Sequence, residues 1–275
     1  MYNFTFKIGS SDRVIPEALC QYKDDIDALE IHLHDRVLSK GLAESTILLS
    51  QLQNKLKTLV FHMPFPKHTF DTICLDDAHI KELKDFIKEL GIIRNNMGVE
   101  NLYLLFHQEN SIEGLIYGNC IEKVSYICNI AHLCDVKILF ENCIPDLTNP
   151  YYNTIPAFDI VQKLQNPNVY ICLDLCHARI YENIYKEPFK IPEELIPLVK
   201  WVHFSYTKGE DGFKNSQSHS APHDTAMNLV EDVIAIHKLG VSEDACICLE
   251  ITEEDYTVCE FTAKEMKTIQ EIILV

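Results

Sequence analysis

Six short apolar runs in this sequence each end on a histidine or an acid. TLVFHMP supplies His62, LYLLFHQE supplies His107 and KILFEN supplies Glu141. YICLDLCH supplies Asp174 and then His177, WVHFS supplies His203, and CICLEI supplies Glu250. One such residue alone carries little information. A lone histidine there is commonly a hydrogen-bonded core residue, and a lone acid commonly caps a helix or pairs with a lysine. Six in succession point to joint chemistry. A carboxylate placed directly after KILF, YICL or CICL is costly to bury unless something compensates its charge. Few Lys or Arg residues lie nearby in sequence to do so. A divalent cation accepts carboxylate and imidazole ligands together and is the economical compensation. Asp174 and His177 add the spacing D-x-x-H, in which a turn after the acid folds the histidine back over the same edge.

Other polar residues are less committed. His219 and His223 lie in the stretch HSAPH, and His219 is a further ligand candidate. His32 and His34 fall on one face of a strand by alternation and read as structural or substrate-facing.

The elements that must position these groups are legible as runs of Ile, Val, Leu, Phe and Tyr bounded by polar or turn residues. Strands are expected at Phe4–Ile8, Ala28–Leu33, Thr58–His62, Leu102–His107, Lys137–Glu141, Val169–Asp174, Trp201–Ser205 and Cys246–Glu250. Helical periodicity is clearest over Asp77–Leu90, Gly114–Leu133, Thr225–Leu239 and Phe261–Leu274. Eight strands, each followed by a helical segment, predict parallel pairing through crossover helices. At 275 residues this is an α/β protein of the (β/α)8 TIM-barrel class, one domain over residues 1–275. In such a barrel the reacting groups sit where strands end, at the C-terminal face. The glycine-rich phosphate loops of open dinucleotide- and nucleotide-binding sheets are missing. Two long polar stretches, Cys143–Thr154 and Tyr206–Asp224, read as functional loops. The second leaves the seventh strand and is expected to close over the rim, with Lys208, Lys214 and His219 as contacts for substrate.

Composition narrows the partners. A formal charge of −17, from 24 Lys+Arg and 41 Asp+Glu, repels nucleic-acid phosphate and anionic membrane at long range. A small-molecule substrate is therefore expected, and nucleic acid is not. No apolar stretch is long enough to cross a membrane, and MYNFTFKIGS lacks the pattern of a signal peptide. The 11 cysteines sit mostly inside apolar runs without paired CxxC motifs, which predicts reduced, buried thiols in a cytoplasmic protein. A homo-oligomer is left open.

The order FHMP, FEN, LDLCH, VHFS, LEI resembles the xylose-isomerase-like TIM-barrel superfamily over nearly the whole chain. That superfamily includes the sugar and sugar-phosphate isomerases and epimerases and the endonuclease IV family, known also as AP endonuclease family 2. In the isomerase branch the resemblance implies one metal held by Glu141, Asp174, His203 and Glu250. The two glutamates then exchange protons with the substrate, and His177 contacts a substrate oxygen. In the endonuclease branch it implies up to three zinc ions, with His62, His107 and His219 as additional ligands and His177 beside them. The aspartate that partners the seventh-loop histidine in that branch is replaced by Gln217, and no basic DNA-gripping arm is evident near the N-terminus. The arginine that often follows the seventh-strand histidine in the isomerase branch is absent, with Tyr206, Thr207 and Lys208 in its place.

The leading expectation is an isomerase or epimerase of a small polyhydroxylated carbonyl compound, working through an enediolate. Mn2+ or Zn2+ is the expected ion, with Mg2+ or Co2+ as alternatives, Glu141 and Glu250 the acid and base, and His177 and Lys208 substrate contacts. The alternative is a multi-zinc hydrolase of phosphodiester or phosphate-ester bonds.

Overall fold

The eight apolar runs form eight strands in the computed structural model, which describes residues 2–9, 14–33, 38–52, 54–63, 77–107, 117–143, 156–205 and 229–273. They are β1 (Asn3–Gly9), β2 (Ala28–His32), β3 (Thr58–His62), β4 (Asn101–Phe106), β5 (Lys137–Glu141), β6 (Val169–Asp174), β7 (Val199–Phe204) and β8 (Cys246–Leu249). Every neighbouring pair is parallel, and β8 returns to β1, so the sheet closes into a barrel. Closure leaves no edge strand to protect.

Side-chain alternation sorts the strand residues into two cores. One phase points outward: Phe6, Leu29, Phe61, Leu104, Phe140, Leu173, Phe204 and Ile247 join the large apolar layer shared with the helices. The other phase points inward: Val60, Leu105, Leu139, Cys172, Trp201 and Cys248 form a separate plug in the barrel. A strand buried on both faces reads as a nearly continuous apolar run, which is why the strands were legible.

Seven α-helices lie among the described residues: α1 (Leu38–Gln51), α2 (Asp77–Met97), α3 (Tyr117–Leu133), α4 (Pro156–Leu164), α5 (Leu175–Tyr185), α6 (Leu229–Lys238) and α7 (Glu260–Ile273). In α2 the buried residues Leu83, Phe86, Ile87, Leu90 and Met97 recur at helical spacing and make the stripe that covers the strands. This helix runs seven residues past the Leu90 boundary expected from sequence, through Gly91. A Cβ at Gly91 would lie 2.7 Å from the carbonyl oxygen of Cys134, so the glycine marks a close approach rather than a helix end.

The strand–helix rhythm breaks once. After β1 the only described helical segment before β2 is a 3-10 turn, Glu17–Tyr22, following Pro16. It docks on the last helix, where the Tyr22 hydroxyl donates to the Ala263 carbonyl at 3.0 Å. The helical segment expected after every strand is here this short 3-10 turn, packed against α7. At β7 the strand starts at Val199, and its pairing with β6 slips so that Lys200 is an extra residue between Val199 and Trp201. No described helix is long and apolar enough to cross a membrane, and nine of the cysteines among the described residues are free thiols.

Candidate metal centre

At the C-terminal ends of the strands the inward phase turns from apolar to ionisable. Along β5 the inward residues read Lys137, Leu139, Glu141, and along β6 they read Tyr170, Cys172, Asp174. His62, His107, Glu141, Asp174, His177 and His203 are each at most 4% exposed, and the Glu250 side chain is 15% exposed.

Glu141 is the hub. Its Oε2 lies 3.1 Å from His107 Nε2, 3.2 Å from His203 Nδ1 and 3.5 Å from His62 Nε2. Its Oε1 lies 3.3 Å from His177 Nδ1. His203 Nδ1 also approaches Glu250 Oε2 at 2.7 Å and Asp174 Oδ2 at 3.7 Å. Yet both Glu141 oxygens, Asp174 Oδ2, His62 Nε2 and His203 Nδ1 are buried without a hydrogen bond of acceptable geometry. Donor atoms that crowd together without bonding one another are arranged around a shared point.

The opposite sides of these residues explain the aim. His62 Nδ1 faces the Met63 carbonyl oxygen at 2.8 Å. A carbonyl only accepts, so Nδ1 carries the hydrogen and the Nε2 lone pair faces Glu141. His203 Nε2 likewise donates to Glu30 Oε2 at 2.8 Å, which leaves the Nδ1 lone pair toward Glu141, Asp174 and Glu250. Glu30 is itself held by Trp201 Nε1 at 2.6 Å. A carboxylate behind an imidazole is the usual outer support of a metal-ligating histidine. Asp174 caps α5, accepting from the His177 backbone N–H at 2.6 Å through Oδ1, so Oδ2 is left for the centre. The Asn142 side chain clamps the Asp174 backbone, accepting from its N–H at 2.7 Å and donating to its carbonyl at 2.9 Å.

Four overlapping donor groups result among the described residues, two of which also include Glu30 or Cys172 and two of which are built from the strand-end residues alone. Of the latter two, one is Glu141, Asp174, His203 and Glu250, and the other is His62, His107 and Glu141; within each, the donor atoms lie within 4.8 Å of one another. Ligands on opposite sides of one ion at about 2.0–2.2 Å are about 4 Å apart, so each group fits an ion after small side-chain adjustments. The mixed imidazole and carboxylate chemistry suits Zn2+, Mn2+, Co2+ or Mg2+.

Electrostatics agree. Burial opposes charge on Glu141, but His107 and His203 outweigh it and hold the carboxyl well below its usual range. Burial likewise opposes charge on His177, but Asp174 and Glu141 push it up to about 9. His203 rises well above the usual imidazole value against burial, with Cys172, then Glu250, Glu30 and Glu141 favouring its charged form. Without a cation, protons on His177 and His203 help balance the carboxylates, while burial and Lys7 push His62 down. Lys7 joins this balance: its Nζ pairs closely with Glu250 Oε1 and lies 3.7 Å from Glu30 Oε1.

The sequence offered the candidate ligands but not the residues that support them. Lys7, Glu30, Trp201 and Asn142 drew no attention, although Lys7 in NFTFKIG and Glu30 in ALEIH are charged residues on the inward phase of strands. That phase was the available signal. Lys208, Lys214, Gln217, His219, His223 and His34 lie outside the described residues. His32 packs edge-on against His62, ring centroids 4.7 Å apart.

A family model described as a xylose isomerase-like TIM barrel matches residues 26–262. Among solved structures, a D-tagatose 3-epimerase-like protein is 18% identical with a TM-score of 0.60 over 98% of each chain. A xylose isomerase domain protein of Salmonella typhimurium is 13% identical, TM-score 0.61, over 98% of this chain and 96% of the other. The D-psicose 3-epimerase of Clostridium cellulolyticum H10 is 15% identical, TM-score 0.56, over 95% and 89%. At such identities the likeness is one of fold. No curated protein matches the sequence.

Proposed function

Because the chain belongs to the xylose isomerase-like TIM-barrel family, we propose that it is a divalent-metal-dependent isomerase or epimerase of a small polyhydroxylated carbonyl compound. The convergence of Glu141, Asp174, His203 and Glu250 within 4.8 Å carries this reading. The D-tagatose 3-epimerase-like protein and the D-psicose 3-epimerase among its structural neighbours support ketose-like sugars as the substrate class. A cation held by these four residues would act as a Lewis acid on the carbonyl and an adjacent hydroxyl.

The chain's own groups then divide the proton work. Glu141 and Glu250 both approach His203 Nδ1, at 3.2 and 2.7 Å, and act as base and acid at the reacting carbon. Glu30 and Trp201 fix the His203 ring so that the donor set stays in place. His177, tied through Nδ1 to the Asn142 carbonyl at 2.8 Å, presents its other nitrogen to a substrate oxygen. Lys208 in the seventh loop is a second substrate contact in this reading. The net charge of −17 makes nucleic acid an unfavourable partner.

A second reading has a specific observation behind it. His62, His107 and Glu141 form a second donor group that shares Glu141 with the first. Two ions bridged by one carboxylate would suit hydrolysis of a phosphodiester or phosphate ester. Elemental analysis of protein never exposed to chelator, combined with two assays, separates the readings. One ion per chain and incorporation of solvent deuterium into a ketohexose support the isomerase. Two or more ions with hydrolysis of a phosphate ester support the second reading. Protein without divalent metal and without either activity overturns both.

A further inference from the structure

The opposite mouth of the barrel holds a second polar cavity, of about 310 Å³, and we propose that it binds a small oxyanion, a phosphate or carboxylate group. The cavity opens at the strand N-termini and is walled by Asn101, Tyr103, Lys137, Tyr170, Lys200 and Asp244 among others. It is at the lower end of small-molecule sites and holds roughly ten waters.

Lys137 is the first residue of β5 and points inward between two aromatic rings. Its Nζ lies 5.5 Å from the Tyr103 ring centre and 5.7 Å from that of Tyr170. It donates to Asn101 Oδ1 at 2.5 Å, and no described carboxylate comes within ion-pair distance of it. The one acid of the cavity wall, Asp244, is already engaged by Lys200 at 2.7 Å. Lys200 is the extra residue of the β6–β7 slip, so an irregularity in the sheet brings a second ammonium to this mouth. The wall thus carries two cations and one acid in a chain of net charge −17. Burial, then Arg94 and Lys200, depress the Lys137 pKa, which is the mark of an ammonium short of negative charge. Burial raises the Tyr103 pKa, so its phenol stays neutral and able to donate. Ammonium and phenol donors around a cavity of this size are the chemistry that recognises an oxyanion.

This site is independent of the metal centre. Lys137 and Glu141 are four residues apart on β5, about 13 Å along the strand, with Leu139 between them. Calorimetric titration of the protein as isolated, carrying its metal, with inorganic phosphate and with glycerol 3-phosphate tests it. Phosphate held at the rim metal is common to wild type and Lys137→Met, so the difference between them isolates the floor. Wild type should show one more equivalent bound than the variant, or at least tenfold tighter binding. Tighter binding of the ester than of free phosphate identifies a monoester as the ligand, and equal binding identifies free phosphate. Coincident titrations of wild type and variant overturn the site. Should Lys137→Met fail to fold, wild-type crystals soaked in selenate decide: anomalous density beside Lys137 Nζ supports the site, and its absence there overturns it.

Discussion

The two mouths of this barrel carry opposite charge. At the C-terminal rim, Glu30, Glu141, Asp174 and Glu250 face four histidines and one lysine, and several donor atoms have no hydrogen bond. At the N-terminal floor, Lys137 and Lys200 face one aspartate, and the polar atoms are bonded to Asn101 and Asp244. Between them lies an apolar plug of Val60, Leu105, Leu139, Cys172 and Cys248. The same strands build both ends, two residues per step. The rim gathers buried carboxylates and imidazoles that could hold a cation, its carboxylates held in place from behind, and the floor is a smaller, half-solvated cavity that calls for an anion. Ionisable groups can occupy a closed barrel at both ends because each set is answered locally, with several ångströms of hydrocarbon separating them.

Substitutions at the rim should have the largest effects. Glu141→Gln removes a shared ligand and a proton-transfer group together, so turnover should fall roughly 10²–10⁴-fold, with reduced metal content by elemental analysis. Full metal content with unchanged turnover would break the rim assignment.

Next is the support behind the ligand. Glu30→Gln weakens the hold on His203 Nε2 without touching the donor set, and metal affinity should drop about 10–100-fold in a competition titration. An unchanged affinity would mean that packing alone orients the ring.

Metal removal sharpens the contrast through stability. An ion at 100 times its Kd stabilises the fold by about 2.7 kcal/mol, so chelation should lower Tm and added Mn2+ or Zn2+ restore it. In the metal-free protein the raised histidines contribute stability that is fully present below the unfolded imidazole pKa, near 6.5. That of His177 is lost as pH rises through about 9. Melting curves of the chelated protein should therefore fall between pH 6.5 and 9. With metal bound, His203 would be neutral as a ligand and the cation would offset the Asp174 and Glu141 charges that raise His177, so the curve should be flatter. A chelated protein with flat pH dependence would contradict the proton-balanced rim.

The smallest effect belongs to the floor. The Lys200–Asp244 pair is 21% and 62% exposed, so Asp244→Ala should cost at most about 1 kcal/mol in a denaturant titration and leave metal content alone. A large loss, or a change in bound metal, would show that the two mouths are not insulated.

Much of this was legible in the sequence. The spans Thr58–His62, Lys137–Glu141 and Val169–Asp174 are strands with the expected boundaries, because strands buried on both faces are written as short unbroken apolar runs. The rim ligands were visible for the same reason, since an acid or histidine that ends such a run stands out against its neighbours. The packing around them was not visible. Nothing local to ALEIH says that Glu30 meets Trp201 and His203, which lie 171 and 173 residues away. Nor does NFTFKIG say that Lys7 reaches Glu250, 243 residues on. The short 3-10 form of the segment after β1 and the slip that frees Lys200 are likewise settled by what covers or pairs with those segments. Sequence by itself determined the strands, the barrel class and the donor residues, because periodicity and burial act locally along the chain. Tertiary structure alone decided which lone pair of each histidine faces the centre, which acid stands behind which ligand, and where the floor gathers its lysines. Those depend on closing β8 against β1, which brings the two ends of the chain together.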